Sequence, residues 1–178
     1  QKKISNEINS NPNSVVILTG RYQLFDNNSY FKDKKGNFEG KHLKLKFVNK
    51  DDIIFREGLK KSILELSKRN KVILIYPFPE FAVNVTKKLI FFPKKKITND
   101  YETYLERSNN ILKIFDKVNS NNIYKVRPDK IFCDSFVKNR CVANTDKFIF
   151  YNDTNHLERA GINIIRAKII DQFKDIKF

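Results

Sequence analysis

Two continuous apolar runs have the length and composition of buried β-strands. One lies within residues 14–20, Ser-Val-Val-Ile-Leu-Thr-Gly, and the other is 72–76, which is followed by Pro77 and Pro79. Apolar runs without polar alternation are typical of parallel strands, because helices cover both faces of such a sheet. We therefore predict that Val15–Leu18 and residues 72–76 are interior strands of a parallel sheet.

Apolar residues at helical spacing lie between and after these runs. Within 51–69 they recur three or four positions apart, at Phe55, Leu59, Ile63 and Leu66. Comparable stripes predict helices at about 100–118 and 157–176. Shorter strand candidates are 123–126, 130–133 and 147–151. The alternation predicts an α/β fold, with a mainly parallel sheet covered by helices on both faces.

The segment 23–49 departs from this pattern. It is polar, contains Gly36 and Gly40, and alternates apolar and polar residues over 42–48. We expect a hairpin or an irregular insertion here. The length of 178 residues fits one domain, which we place at 1–178.

The chain is strongly basic, with 35 Lys and Arg against 20 Asp and Glu and a formal charge of +15. This balance favours anionic partners such as nucleic acid, anionic lipid or acidic glycans. The lysines are scattered, however, which is typical of an ordinary solvated surface. No nucleic-acid-binding motif is present, and most aromatic residues are Phe in apolar runs. We expect no nucleic-acid partner and keep an anionic membrane surface open.

The two cysteines, Cys133 and Cys141, match no zinc or redox motif, and the two histidines, His42 and His156, are distant in sequence. A small disulfide-closed loop is their simplest use, which would indicate an oxidising compartment. Two free thiols remain the alternative. We expect no metal site and no cofactor.

The most informative polar residues lie near the C-terminus. Asp153 follows the apolar segment 147–151, and His156 precedes the helix predicted at 157–176. In a parallel sheet such a position lies at the edge where ligands bind. Asp153 could accept the Nδ1 proton of His156 and leave Nε2 to take a proton from a nucleophile. The alternative is that both residues only cap the helix.

The pattern Tyr-x-Asp-x-x-His-Leu-x-x-x-Gly from Tyr151 to Gly161 resembles the last conserved block of SGNH (GDSL-like) hydrolases. It is most similar to SGNH domains fused to acyltransferase-3 membrane proteins, although Glu158 replaces their usual serine. Two further stretches resemble that family. The first strand ends in Arg21-Tyr22, where the family has Arg-Trp, and the second run ends in Pro-Phe-Pro-Glu at Glu80.

The resemblance implies a flavodoxin-like sheet and a Ser-His-Asp triad that transfers or hydrolyses an acyl ester on a carbohydrate. It assigns Asp153 and His156 to the triad. It places Arg21, with Gly20 beside it, where an oxyanion or a substrate oxygen would bind; a structural salt bridge is the alternative for Arg21. Glu80 is expected to hold a loop. The resemblance also supports the disulfide, and it implies that the domain lies on the extracytoplasmic side and is tethered to the inner membrane.

The family's Gly-Asp-Ser block has no counterpart among these 178 residues. Ser5, Ser10 and Ser14 precede the Arg-Tyr strand, and Ser135 lies inside the cysteine loop. We therefore expect that the family's own first strand and its nucleophile lie upstream of Gln1, or that this domain is degenerate.

Three functions follow from these observations. The first is an O-acyltransferase domain that O-acetylates a cell-surface polysaccharide, with the acyl donor delivered by an attached membrane acyltransferase domain. A carbohydrate esterase would use the same residues with water as the acceptor. The third is an inactive carbohydrate- or anion-binding module.

Overall fold

The computed structural model describes residues 7–8, 10–26, 31–35, 37 and 52–174. The strands are β1 (Val15–Leu18), β2 (Lys71–Ile75), β3 (Thr98–Asp100), β4 (Ile123–Val126) and β5 (Arg140–Val142). The helices are α1 (Tyr22–Asp26), α2 (Asp52–Arg69), α3 (Val85–Phe91), α4 (Tyr101–Lys117), α5 (Asp129–Phe132) and α6 (Arg159–Lys174).

The main sheet has three parallel strands in the order β1-β2-β4. Val16 pairs with Val72, and Leu74 pairs with Lys125, so the carboxyl ends of all three strands lie at one edge. The predicted α/β fold with a parallel sheet is confirmed.

The core lies on both faces of β2, whose successive side chains point to opposite sides. Leu74 and Tyr76 pack in a cluster with Ile63 of α2 and with Ile111 and Phe115 of α4. Ile73 and Ile75 pack on the other side, in a cluster with Val85 and Leu89 of α3 and Ile165 of α6. Helical stripes of apolar residues therefore cover both faces of the sheet, as the sequence pattern predicts.

Strand β1 lies at an edge rather than in the interior. Of the strands that the structure describes, only β2 pairs with β1. Ile17 on β1 is 47% exposed, an unusual position for a residue in a continuous apolar run. The prediction that Val15–Leu18 is interior is therefore wrong for the described residues, because no described strand occupies its second side.

The disulfide between Cys133 and Cys141 is present, with the two Sγ atoms 2.00 Å apart. It lies beside a small antiparallel sheet in which Asn99 of β3 pairs with Cys141 of β5. Both cysteines are buried. In the chain-entropy account, a loop of this size stabilises the fold by about 2.5 kcal/mol, because it restricts the unfolded chain.

Two short segments predicted to be strands are not strands. Residues 130–132 lie in helix α5, and Cys133 follows it. Pro128 adopts the αR conformation and begins a helical turn, which ends at Cys133, whose amide donates to the Asp129 carbonyl. In 147–151, the Phe150 and Tyr151 amides both donate to the Ala143 carbonyl. That segment folds back on its own neighbours and contributes only isolated bridges.

The remaining differences concern connections between the long elements. The segment 23–49 begins within helix α1, and its predicted hairpin at 42–48 lies outside the described residues. Helix α3 and strands β3 and β5 were not predicted. Each is short, and α3 is recognisable only by Asn84, whose side chain accepts the Lys87 amide at its N-terminus.

Candidate functional site

The loop that carries Asp153 and His156 is closed and anchored by backbone hydrogen bonds. Within it, the Asn152 amide donates to the His156 carbonyl over 2.8 Å. Outside it, the Phe81 amide donates to the Thr154 carbonyl over 2.8 Å, and the Thr86 hydroxyl donates to the Asn152 carbonyl over 2.7 Å. These bonds attach the loop to the β2–α3 connection, which follows the carboxyl end of the central strand, and to the first turn of α3. Among the described residues, no strand directly precedes Asp153. These hydrogen bonds therefore hold Asp153 in place, which is the role predicted from the sequence for a strand at 147–151.

The Asp153 carboxylate organises the loop with both of its oxygens. Oδ1 accepts the backbone amides of Asn155 (2.9 Å) and His156 (2.8 Å), while Oδ2 lies 2.7 Å from His156 Nδ1. Partial burial acts to raise the pKa of Asp153, but these two amides and the His156 ring outweigh it and hold the pKa below its ordinary value. An ionised Asp153 makes Nδ1 the donor, so the neutral His156 ring presents Nε2 as an acceptor.

His156 projects into an open cavity of about 530 Å³ at the carboxyl end of β1. Its side chain is 75% exposed, whereas that of Asp153 is 29% exposed. Gly20 and Arg21, which follow β1, line the same cavity. The apolar part of the wall consists of Ile75, Phe78, Leu157, Ile162, Ile165 and Ile169. An exposed imidazole beside an apolar hollow is accessible to a substrate and is not required for packing.

Arg21 is held at the cavity wall by a buried carboxylate. Its Nε donates to Oε1 of Glu80, and Nε of Arg107 donates to Oε2 of the same carboxylate. The Glu80 side chain is only 2% exposed, and those of Arg21 and Arg107 are 22% and 11% exposed. The Arg21 guanidinium is thus a positive charge that Glu80 holds at the cavity wall. Such a fixed charge at a cavity wall can stabilise a developing anion without reorganisation.

A family model described as the SGNH domain (fused to AT3 domains) matches residues 1–171. The chain belongs to this family. Comparison with curated proteins and with solved structures gives no match. Membership indicates a domain that works with an attached membrane acyltransferase (AT3) domain in a membrane-tethered protein. None of the helices in the described part of the chain is long and apolar enough to cross a membrane.

In this SGNH domain the structure brings most of the sequence-predicted residues together. Asp153 contacts His156 directly, and His156, Arg21 and Gly20 line one cavity. Cys133 and Cys141 do not line this cavity; their disulfide lies beside the small antiparallel sheet of β3 and β5. Among the described residues, no group of three or more His, Cys, Asp or Glu side chains is arranged to hold a metal ion.

Sequence reasoning missed two participants, Arg107 and Asn155. Arg107 is the second partner of Glu80, and Asn155 lines the cavity beside His156. Arg107 lies in a predicted helix, but nothing in the spacing of the chain links it to Glu80. Asn155 lies inside the Asp-x-x-His motif, so the motif itself is the signal that could have found it.

Gly161 makes the close approach that positions this loop, and its replacement by alanine is expected to destabilise the domain. A Cβ at Gly161 would lie 2.4 Å from the Phe150 carbonyl oxygen, which already accepts the Glu158 amide over 2.8 Å. We expect Gly161→Ala to cost about 1–3 kcal/mol of unfolding free energy, measured by urea denaturation, because backbone must shift.

The matched control is Gly58→Ala, within helix α2. Apart from its chain neighbours and the backbone of its own helix, no atom of the described residues lies within 4 Å of a Cβ at Gly58. This change should stabilise the domain by roughly 0.5–1 kcal/mol, since alanine is the better helix former. Equal effects of the two substitutions would show that the contact between Gly161 and Phe150 does not constrain the loop.

Proposed function

We propose that this domain is the acyl-transferring part of a carbohydrate O-acyltransferase on the extracytoplasmic side of the membrane. The observation that carries the proposal is the Asp153–His156 pair at the mouth of a cavity that also contains Arg21. Family membership supports an acyl substrate, because AT3 domains are acyltransferases. Acetyl is the acyl group and a cell-surface polysaccharide the acceptor that we favour.

The proposed reaction uses a serine from outside residues 1–178 as its nucleophile. His156 Nε2 removes the hydroxyl proton while the serine oxygen attacks the acyl carbonyl carbon. Arg21 stabilises the negative charge on the carbonyl oxygen of the tetrahedral intermediate. Collapse of the intermediate breaks the bond to the donor, which leaves with the proton from His156. A sugar hydroxyl then attacks the acyl-serine and loses its proton to His156. The bond between the serine oxygen and the acyl carbon breaks, and the serine oxygen takes the proton from His156, which releases the acylated sugar and regenerates both groups.

The second side of β1, which no described strand occupies, supports this placement of the serine. A strand pairing parallel to β1 would cover Ile17 and end beside Thr19 and Gly20, on the wall of the His156 cavity. The residue after a parallel strand projects at the carboxyl edge of the sheet, where nucleophiles in open α/β folds are placed. A serine at that position would lie within the same cavity as His156 Nε2.

An inactive carbohydrate- or anion-binding module is the second candidate. It is favoured by one observation: no serine is among the described residues that line the cavity. An esterase is the hydrolytic form of the first candidate, with water in place of the sugar hydroxyl.

Trapping of the acyl-enzyme tests the proposal. The complete AT3-fused protein is incubated with its acyl donor, quenched in acid and digested for mass spectrometry. We expect one hydroxylamine-labile acyl-serine on a peptide outside residues 1–178, and none when His156 is replaced by alanine. An acyl group on a serine within 1–178 would refute the placement of the nucleophile. Intact glycan binding without any acyl adduct would favour the inactive module.

A further inference from the structure

Helix α3 ends in a cluster of large apolar side chains that point into solvent. Ile90 is 73% exposed, Phe91 75% and Phe92 52%, although Val85 and Leu89 of the same helix are buried in the core. Phe148 (55% exposed) and Ile149 (38%) extend this surface, because they line one groove together with Ile90. We call these five residues, Ile90, Phe91, Phe92, Phe148 and Ile149, the apolar tip.

A tip of this kind is a binding surface rather than an accident of composition. Single exposed apolar residues are common, but contiguous ones mark sites of association with a protein or a membrane. Here Val85 and Leu89 are buried in the core as in any packed helix, so the outward position of Ile90 and Phe91 is set by the sequence. The tip therefore calls for an occupant that accepts hydrophobic side chains.

Lysines surround the tip and indicate that its partner is negatively charged. Five of them, Lys87, Lys88, Lys94, Lys95 and Lys96, form what we call the basic collar, and residues 81–99 contain no Asp or Glu. Lys88 Nζ lies 4.6 Å and Lys95 Nζ 5.6 Å from the centre of the Phe92 ring. In the described ranges the one ion pair of the collar joins Lys96 to Asp146 over 3.4 Å. Nearly all of this charge is available to an anionic partner.

A second feature next to the collar is a hollow with several basic residues in its wall. Lys88, Lys95 and Lys96 also line a hollow of about 210 Å³, together with Lys35 and Arg140. The hollow contains the carboxylates of Asp33 and Asp100. Asp33 accepts hydrogen bonds from the Lys35 and Asn37 amides, and Asp100 pairs with Arg140. Lys88, Lys95 and Lys96 therefore line this hollow as well as surrounding the tip.

We propose that the apolar tip and its basic collar dock this domain on an anionic phospholipid bilayer. Phe91, Phe92 and Ile90 enter the boundary between headgroups and acyl chains, where amphipathic elements bury apolar side chains. The collar lysines lie at the level of the phosphates, with their aliphatic stems along the apolar residues. Each lysine close to an anionic surface raises the affinity about fivefold. A protein partner would need equally dense acidic groups around an apolar groove, which a bilayer supplies without specific design.

Docking in this way has a consequence for the cavity described above. The first turn of α3 contacts the Asp153 loop through Thr86, and its last turn carries the tip. Seven helical residues span about 10 Å, so the loop lies close to the docked surface. The bilayer would therefore orient the His156 cavity near the membrane. The proposal does not depend on the acyl-transfer mechanism, and lipid binding is measured without turnover.

The test uses the absence of tryptophan from this chain. Phe91→Trp introduces a single tryptophan at the tip, and vesicles of equimolar phosphatidylcholine and phosphatidylglycerol are added. We expect a blue-shifted emission that lipids brominated on the acyl chain quench. Vesicles of phosphatidylcholine alone, or high salt, should weaken binding at least tenfold.

Two variants of the Phe91→Trp protein separate the two contributions. Phe92→Ser with Ile90→Ser should lower vesicle affinity at least tenfold. Lys94→Gln with Lys95→Gln should lower it about 25-fold at low salt. Lys113→Gln with Lys117→Gln on α4 makes the same charge change elsewhere and should lower it far less. Circular dichroism establishes that each variant is folded.

Three results would overturn the proposal. One is tryptophan emission that vesicles leave unchanged. Another is emission that shifts with protein concentration in the absence of lipid, which would assign the tip to a second copy of the chain. The third is binding to a single-stranded oligonucleotide that is tighter than binding to vesicles and needs the collar but not the tip.

Discussion

Replacing His156 with alanine in the complete AT3-fused protein is expected to lower acyl transfer roughly 10⁴-fold or more. Among the described residues that line the cavity, the imidazole is the one group suited to take a proton from a serine and return it to a leaving group near neutral pH, as the proposed reaction requires. Its side chain is 75% exposed, so its loss removes little packing. The unfolding free energy should change by about 0.5 kcal/mol or less. Measurement of transfer rate and urea denaturation on the same preparation tests both statements.

Substitutions of Asp153 separate its two roles. Asp153→Asn retains an oxygen that can accept the Asn155 and His156 amides, but it no longer stabilises an imidazolium or fixes Nδ1 as the donor. It should lower transfer by roughly 10⁴-fold with little change in stability. Asp153→Ala also removes Oδ1, the acceptor of both amides, and should cost about 1 kcal/mol of stability. Full activity in His156→Ala would refute the triad. A large loss of stability in that variant would instead favour a helix-capping role.

The long elements could be predicted from the sequence because each contains several turns or a full buried run. Helix α2 repeats its apolar residues over 18 residues, and β2 is continuously apolar because helices cover both of its faces. Short elements carry too few periods to decide between structures. Residues 131–133 contain two large apolar side chains and a cysteine, and the helix-starting pair Pro128-Asp129 outweighed that weak strand signal.

The site could be predicted only where its residues are close in sequence. Asp153 and His156 are three positions apart, so their hydrogen bond follows from local geometry alone. The pairing of Arg21 with Glu80 spans 59 positions and that of Glu80 with Arg107 spans 27. These contacts depend on how β1, the β2–α3 connection and α4 meet at one sheet edge. Hydrophobic periodicity predicts where helices and strands lie along the chain, but it does not predict which of their residues come into contact in the fold.

Replacing Glu80 with glutamine is expected to cost about 3 kcal/mol or more of unfolding free energy. The change leaves the guanidinium groups of Arg21 and Arg107 close together with no carboxylate between them. Both are mostly buried, so water cannot replace the lost charge. Adding Arg107→Gln should recover part of the loss, because it removes one of the two guanidinium groups that then face each other. A coupling energy of about 1–3 kcal/mol between the two sites is expected from a double-mutant cycle.

Transfer activity shows whether Glu80 also positions Arg21 for the reaction. The matched control is Asp26→Asn. Asp26 is a fully buried carboxylate that pairs with Arg56 and accepts Asn110 Nδ2 over 3.2 Å, and it does not line the cavity. Both variants should lose stability, but only Glu80→Gln should lower kcat per folded molecule, by about 10²-fold, because an oxyanion-binding group is misplaced. Its KM should change little, since Arg21 acts on charge that develops in the transition state. If kcat per folded molecule is the same in both variants, Glu80 is a structural ion pair and does not position Arg21 for the reaction.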